Sequence, residues 1–161
     1  MADAYESICK HFDEHELNYL GDEELQRVQL FARWQGVPRA LECRVRDGQL
    51  FHTTCSSGIT VPEGARAALS EAIAKANYRI KLGYWQLDWS DGELTFQVVQ
   101  VLEDGAYEIA EGTLLQCVVA ALSTCADFAD AFNSIIYGNE DADTALGRVF
   151  DNSRDDEDDS E

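Results

Sequence analysis

Residues 77–92 constrain the fold of this chain more than any other segment, because they combine the end of a helix, a glycine, a short strand and a tight turn. Successive side chains of a strand point to opposite faces. One predicted face carries Trp85, Leu87 and Trp89, and the other carries Tyr84, Gln86 and Asp88. The turn at 90–92 then predicts a hairpin, whose return strand again alternates apolar and polar residues.

Four residues of this segment are predicted to have structural roles. Asn77 caps or ends the preceding helix, and Gly83 lets the backbone turn into the strand. Leu87 packs beside Trp85 beneath a helix, and Gly92 supplies a positive φ in the turn. Replacing Gly83 should therefore destabilise the fold whatever the function is.

The stretch before this segment predicts an antiparallel meander of three strands. Residues 27–34, 39–46 and 50–54 alternate apolar and polar side chains and are joined by the short turns 35–38 and 47–48. Parallel neighbours would need connections of a dozen or more residues. Residues 56–59 are predicted to form a loop.

Three helices are predicted from residues that recur at three- and four-residue spacing. The first spans about 3–17, the second opens near Pro62 with an alanine-rich stripe from Ala65 to Ala76, and the third spans about 111–136. The element order predicts an α+β fold in one domain over 1–138: helix, three-strand meander, helix, two-strand hairpin and long helix. Residues 139–150 predict a short docked helix and 151–161 a disordered acidic tail.

The net charge of −19 bears directly on possible partners. Nucleic-acid affinity comes largely from Lys and Arg neutralising phosphates, and anionic membrane surfaces attract the same basic residues. We therefore expect neither nucleic acid nor membrane as a partner. No apolar run approaches the roughly 20 residues that span a bilayer, and the N-terminal residues lack the features of a secretory signal.

The five cysteines are odd in number and widely spaced, which favours reduced thiols over a disulfide framework. A cytoplasmic location is the expectation.

Two groups of residues could carry chemistry. His11 and His15 are four apart, so on a helix they share a face and could hold a zinc ion, but no third ligand is evident nearby. Cys55 follows His52 by three residues, yet no arginine stands where a phosphate-binding cysteine loop would need one. Because glycine-rich phosphate loops are also missing, no cofactor, metal or catalytic residue is predicted.

The aromatic residues Trp34, Tyr84, Trp85 and Trp89 form the predicted partner-binding surface. Tyr84 and Trp85 are adjacent in one strand and must point to opposite faces. One of them can sit under a helix while the other faces a partner. The alternative is that both faces of this strand are covered within a monomer or dimer.

The order of these elements and the motif within residues 77–92 resemble the YbjN-like family of proposed bacterial sensory transduction regulators. The matching pattern is a helix ending in Asn77, then Leu82-Gly83-x-Trp85-x-Leu87-Asp88, then Asp91-Gly92 opening the return strand. The resemblance covers roughly 5–137. The family in turn looks like the class I chaperones of type III secretion. It implies an α+β protein, commonly dimeric, whose surfaces hold another polypeptide, and it implies no catalytic residues.

From these observations we predict a non-enzymatic, protein-binding chaperone-like or regulatory protein that is a homodimer and binds an unidentified protein or peptide. Two alternatives remain at this point. One is a metal- or small-ligand-binding enzyme that uses His11 and His15, and the other is a structural subunit of a complex.

Overall fold

A computed structural model describes residues 3–47, 49–102 and 108–158. Within these ranges the chain alternates helices and strands in one α+β arrangement. The helices are α1 (Ala4–Glu14), α2 (Arg66–Arg79), α3 (Glu111–Gly138) and α4 (Ala142–Asp158), with a 3-10 turn at Glu63–Ala65 before α2. The strands are β1 (Tyr19–Asp22), β2 (Arg27–Trp34), β3 (Val37–Arg46), β4 (Leu50–Thr60), β5 (Tyr84–Leu87) and β6 (Glu93–Val101).

The strands form a six-stranded antiparallel sheet in the order β1-β2-β3-β4-β6-β5. The long helix α3 crosses β2, β3, β4 and β6, while α1 contacts β2 and β3, and α2 contacts β5. The fourth helix packs on α2 and α3 rather than on the sheet. The molecule therefore consists of a sheet with helices on one of its faces.

The period-two pattern of the strands explains why the core lies on this helix-covered face. Buried side chains alternate along each long strand and meet their neighbours across the sheet, as at Leu30 and Leu41 or at Cys55 and Phe96. The core stripe of α3, from Leu114 to Ile135, fills the space above them. This α+β architecture confirms the predicted fold class.

The meander contains one strand more than predicted and a longer last strand. The four-residue strand β1 pairs with β2 at the edge of the sheet, and its Gly21 and Asp22 are poor strand formers. Residues 56–59, predicted as a loop, belong to β4. The pairing with β6 shifts register between Ser56 and Thr60, and Gly58 has a φ of +75° there. A bulge of this kind places glycine and serine inside a strand.

The predicted helices differ from the observed ones at one helix end and at two positions of their apolar stripes. Helix α1 ends at Glu14 instead of Leu17, since Glu16 adopts a φ of +53°. Ala68 of α2 is exposed and Val119 of α3 is 47% exposed, although their three- and four-residue spacing from apolar neighbours predicts both to lie on buried stripes. A helix contacts a sheet over a narrower arc than the spacing alone suggests.

Helix α4 differs from the predicted short docked helix followed by a disordered tail. Asp141 caps its start by accepting hydrogen bonds from the Thr144 amide (2.9 Å) and hydroxyl (2.7 Å). The helix is docked by Ala145, Leu146 and Val149 and continues to Asp158. Once a docked helix exists, adding a residue costs little compared with nucleation. Residues 159–161 of the predicted tail lie outside the described residues.

Helix α3 is long and apolar enough, by length and composition, to cross a membrane. The expectation concerned an uninterrupted apolar run, which α3 does not contain, since polar residues such as Gln116 and Ser123 stand between its apolar ones. The contacts of α3 with four strands of the sheet account for its apolar stripe.

Candidate partner-binding surface

The face of the sheet opposite the helices, called here the open face, has no covering element among the described residues. It is formed by the outward-pointing residues of all six strands. Several of its apolar side chains are exposed, including Leu20 (64%), Phe31 (48%) and Val101 (75%). A groove of about 450 Å³ lies on this face between Phe31, Glu42 and Gln97.

A polar ladder centred on Gln97 crosses the open face from β5 to β4. The Gln97 carbonyl oxygen accepts hydrogen bonds from the Tyr84 hydroxyl (2.9 Å) and from the Gln86 amide. The Gln97 amide nitrogen donates to Nδ1 of His52 at 2.5 Å. These bonds fix the orientation of four side chains on three neighbouring strands, so this part of the face is ordered before any partner arrives.

The histidine of this ladder is held in its neutral form. Burial lowers the pKa of His52, the charges of Arg46 and Arg44 lower it further, and Asp47 opposes them. Nδ1 accepts the bond from Gln97, and Nε2 is buried without a partner. Protonation would therefore break this bond and place a charge beside two arginines.

This shift predicts how stability depends on pH. The pKa of His52 is lower in the folded state than in the unfolded state, where it is about 6.5. The unfolded chain therefore binds the proton more readily. The free energy of unfolding should then fall as the pH drops below about 6.5. We expect the His52→Gln variant to lose less stability than the parent between pH 7.5 and pH 5.5 in urea unfolding curves. Parallel curves for the two proteins would contradict this.

Trp85, predicted as part of the partner-binding surface, is instead a core residue. It is 2% exposed and lies among three phenylalanines, with ring centroids 5.2 Å from Phe96, 5.7 Å from Phe128 and 4.8 Å from Phe132. Trp85 is therefore not part of the candidate surface, and its contacts agree with the expectation that it packs beneath a helix. Tyr84, its neighbour, is 38% exposed and points to the open face.

The other two predicted aromatics do not join Tyr84 in one surface. Trp34 ends β2 on the helix side and packs partly buried against the core. Trp89 lies beyond the end of β5, is 57% exposed, and donates from its indole nitrogen to the Ser70 hydroxyl of α2 at 3.2 Å. The predicted alternation does not extend to Trp89, because β5 ends at Leu87 and the turn begins there.

The structural motif around this strand differs from the prediction at one residue. Asn77 lies inside α2 and does not end it. Its side chain accepts from the Trp85 amide (2.8 Å) and donates to the Trp85 carbonyl (3.1 Å), which ties β5 to the helix. Gly83 and Gly92 have φ values of +84° and +83°. Leu87 is half-buried against the core.

His11 lies in the last turn of α1 and His15 follows the end of this helix, and both contact residues at or just before the start of α3. His11 Nε2 lies 3.1 Å from the Ile109 carbonyl, and His15 Nε2 lies 2.6 Å from a carboxylate oxygen of Glu111. In the part of the chain that the structure describes, no three His, Cys, Asp or Glu residues are grouped to hold a metal ion.

Cys55 and His52 cannot act together as nucleophile and base. They are three residues apart in β4, so their side chains point to opposite faces of the sheet. Cys55 is buried under α3, where the Cys125 thiol approaches its carbonyl at 3.8 Å, whereas His52 lies on the open face.

The residues that distinguish the open face were missed by sequence reasoning. Arg44, His52 and Gln97 come from three strands and become neighbours only through the pairing of β3 with β4 and of β4 with β6. Alternation identifies the outward side of each strand, but it does not reveal that no helix covers it. The signal that was available is the excess of arginine in 27–46, where five arginines accompany one acidic residue, Glu42.

Comparisons with known proteins agree on one family. The family model described as "YbjN: Putative bacterial sensory transduction regulator" matches residues 4–134. A solved structure of YbjN from E. coli, titled a putative transcription regulator, has a TM-score of 0.53 and 9% sequence identity. The match covers 78% of this chain and 89% of that chain. At this identity the likeness concerns the fold. No curated protein matches the sequence. With the family model matching most of its length, the chain belongs to the YbjN family, which that model describes as putative bacterial sensory transduction regulators.

Proposed function

We propose that this chain is a non-enzymatic protein-binding module, chaperone-like or regulatory in role, which holds a segment of another polypeptide on its open face. The observation that carries the proposal is the open face itself: six strands, exposed Phe31 and Val101, and a groove of about 450 Å³ without a covering helix among the described residues. Exposed apolar side chains on an ordered sheet are typical of an interaction surface.

The face is a better docking site than the edges of the sheet. The edge strands β1 and β5 have four residues each, so an added strand could form few backbone hydrogen bonds on either side. The open face, by contrast, extends over strands of eight to eleven residues in its centre.

The proposal includes a cytoplasmic homodimer. All five cysteines are free thiols, and four of them are buried, which suits a reducing compartment.

Site-directed photocrosslinking tests the proposal. Benzoylphenylalanine placed at Phe31 on the open face should, on irradiation of cells, yield a discrete product with a defined protein. The matched control places the same group at Tyr78 of α2, which is 94% exposed and lies on the helix side. Equal labelling from both positions, or none from Phe31, would contradict the proposal. A product joining two copies of this chain would assign the face to the homodimer instead.

A further inference from the structure

The open face differs in charge from the rest of this acidic chain. The chain has a net charge of −19. The outward positions of the six strands nevertheless carry four arginines against three acidic residues: Arg27, Arg33, Arg44 and Arg46 against Asp22, Glu42 and Glu93. The open face is therefore the part of the sheet that can attract a negatively charged partner.

Three of the four arginines, Arg27, Arg44 and Arg46, lie at the end of the sheet near the β3–β4 turn, whereas Arg33 lies beside the β2–β3 turn. The register places Arg27 directly opposite Arg44, and Arg44 directly opposite His52. Like charges directly opposite each other across two strands are destabilising. Arg27 is partly neutralised by Asp22 at 3.4 Å and Glu42 at 3.8 Å.

Arg44 and Arg46 have no acidic partner within 4.0 Å among the described residues. Arg46 is exposed and Arg44 is half-buried. The register sets Arg44 directly opposite His52, and Arg46 lies two residues further along β3 on the same face. Both charges lower the pKa of His52, and the Asp47 carboxylate opposes them. A guanidinium binds a carboxylate through two parallel hydrogen bonds, so this pair is suited to an anionic side chain.

The groove is lined by Arg46, but not by Arg44, together with the carboxylates of Glu42 and Glu93. Phe31 and Ala40, which are paired across β2 and β3, form its apolar part. Ala40 precedes Arg44 by four residues, or about 13 Å of extended strand. Glu42 lies between them on the same face.

We propose that the open face binds an extended acidic segment of a partner protein. A carboxylate of this segment pairs with Arg44 and Arg46, and an apolar side chain four residues away packs on Phe31 and Ala40. The residue midway between them faces Glu42 and must be uncharged or basic. This inference rests on the proposed function and specifies the chemistry of the partner.

Peptide binding to the full chain tests this pairing. The probe is a fluorescein-labelled ten-residue peptide with two adjacent glutamates and a leucine four residues after the second, followed by fluorescence anisotropy. We expect the Arg44→Gln/Arg46→Gln variant to bind it about tenfold more weakly. The control Lys10→Gln/Lys81→Gln removes two positive charges from exposed residues outside the sheet and should bind within about twofold of the parent.

The outcomes separate this inference from the function on which it rests. Equal weakening in both double variants, or equal binding of a peptide with glutamine in place of glutamate, would overturn the inference. An unchanged Phe31 crosslink in the Arg44→Gln/Arg46→Gln variant would leave the protein-binding function standing and reject the acidic site. If converting Asp155, Asp156, Asp158 and Asp159 to asparagine strongly tightens peptide binding, the chain's own acidic C-terminus occupies the face, and the proposal of a partner segment fails.

Discussion

Replacing Gly83 by valine is expected to destabilise the protein by about 3–5 kcal/mol, because it adds a strained backbone conformation to a steric clash. Gly83 has a φ of +84°, which a β-branched residue rarely adopts. A Cβ at this position would lie 2.6 Å from the ring tip of Phe96 and 2.8 Å from the Gln97 carbonyl oxygen. Phe96 is fully buried and Gln97 is held in the sheet, so neither can move away without disrupting the packing or the strand pairing. Thermal unfolding should show a decrease of more than about 10 °C in Tm.

Gly36 provides a control that separates the two causes. Its φ of +81° is nearly the same, but a Cβ there would meet nothing within 4 Å. Gly36→Val should therefore cost about 1–2 kcal/mol, the backbone term alone. If both valine variants unfolded at the same temperature, the crowding at the start of β5 would not be real.

Much of the fold could be predicted because local pattern and tertiary burial agree along most of the chain. Strand β2 occupies the predicted residues, and the core stripe of α3 was predicted from its spacing. The misses occurred where tertiary pairing overrides local preference. Strand β1 contains Gly21 and Asp22 but pairs with the longer β2, and Ser57 and Gly58 form a bulge of β4 between the paired residues Ser56 and Thr60.

The candidate site was harder to predict because it depends on which face of the sheet the helices leave uncovered. Adjacent side chains in a strand point to opposite faces, so sequence established that Tyr84 and Trp85 are separated. Which of them is buried depends on where α3 crosses. Phe128 and Phe132 of that helix cover Trp85, which leaves Tyr84 on the open face. Arg44 and Arg46 share a face through the alternation of β3, but only the register of β3 with β4 reveals that Arg44 lies opposite His52.

The Trp85→Ala variant is expected to lose about 3–5 kcal/mol of stability, the usual cost of removing a buried tryptophan. Its indole contacts phenylalanine rings from both the sheet and α3, so truncation leaves a cavity between the two layers. The main chain of Trp85 is also bound twice by the Asn77 side chain, which limits how far β5 can move to fill that cavity. Urea unfolding should show a lower midpoint with a nearly unchanged slope.

Trp89→Ala is the matched control, since the same side chain is removed from a position that is 57% exposed. It loses one hydrogen bond to the Ser70 hydroxyl and little buried area, so we expect a cost of about 1 kcal/mol or less. The comparison also bears on function, because a partner can reach Trp89 but not Trp85 in the folded chain. If Trp85→Ala unfolded like Trp89→Ala while losing partner crosslinking from Phe31, Trp85 would belong to the binding surface after all, and its place in the core would be wrong.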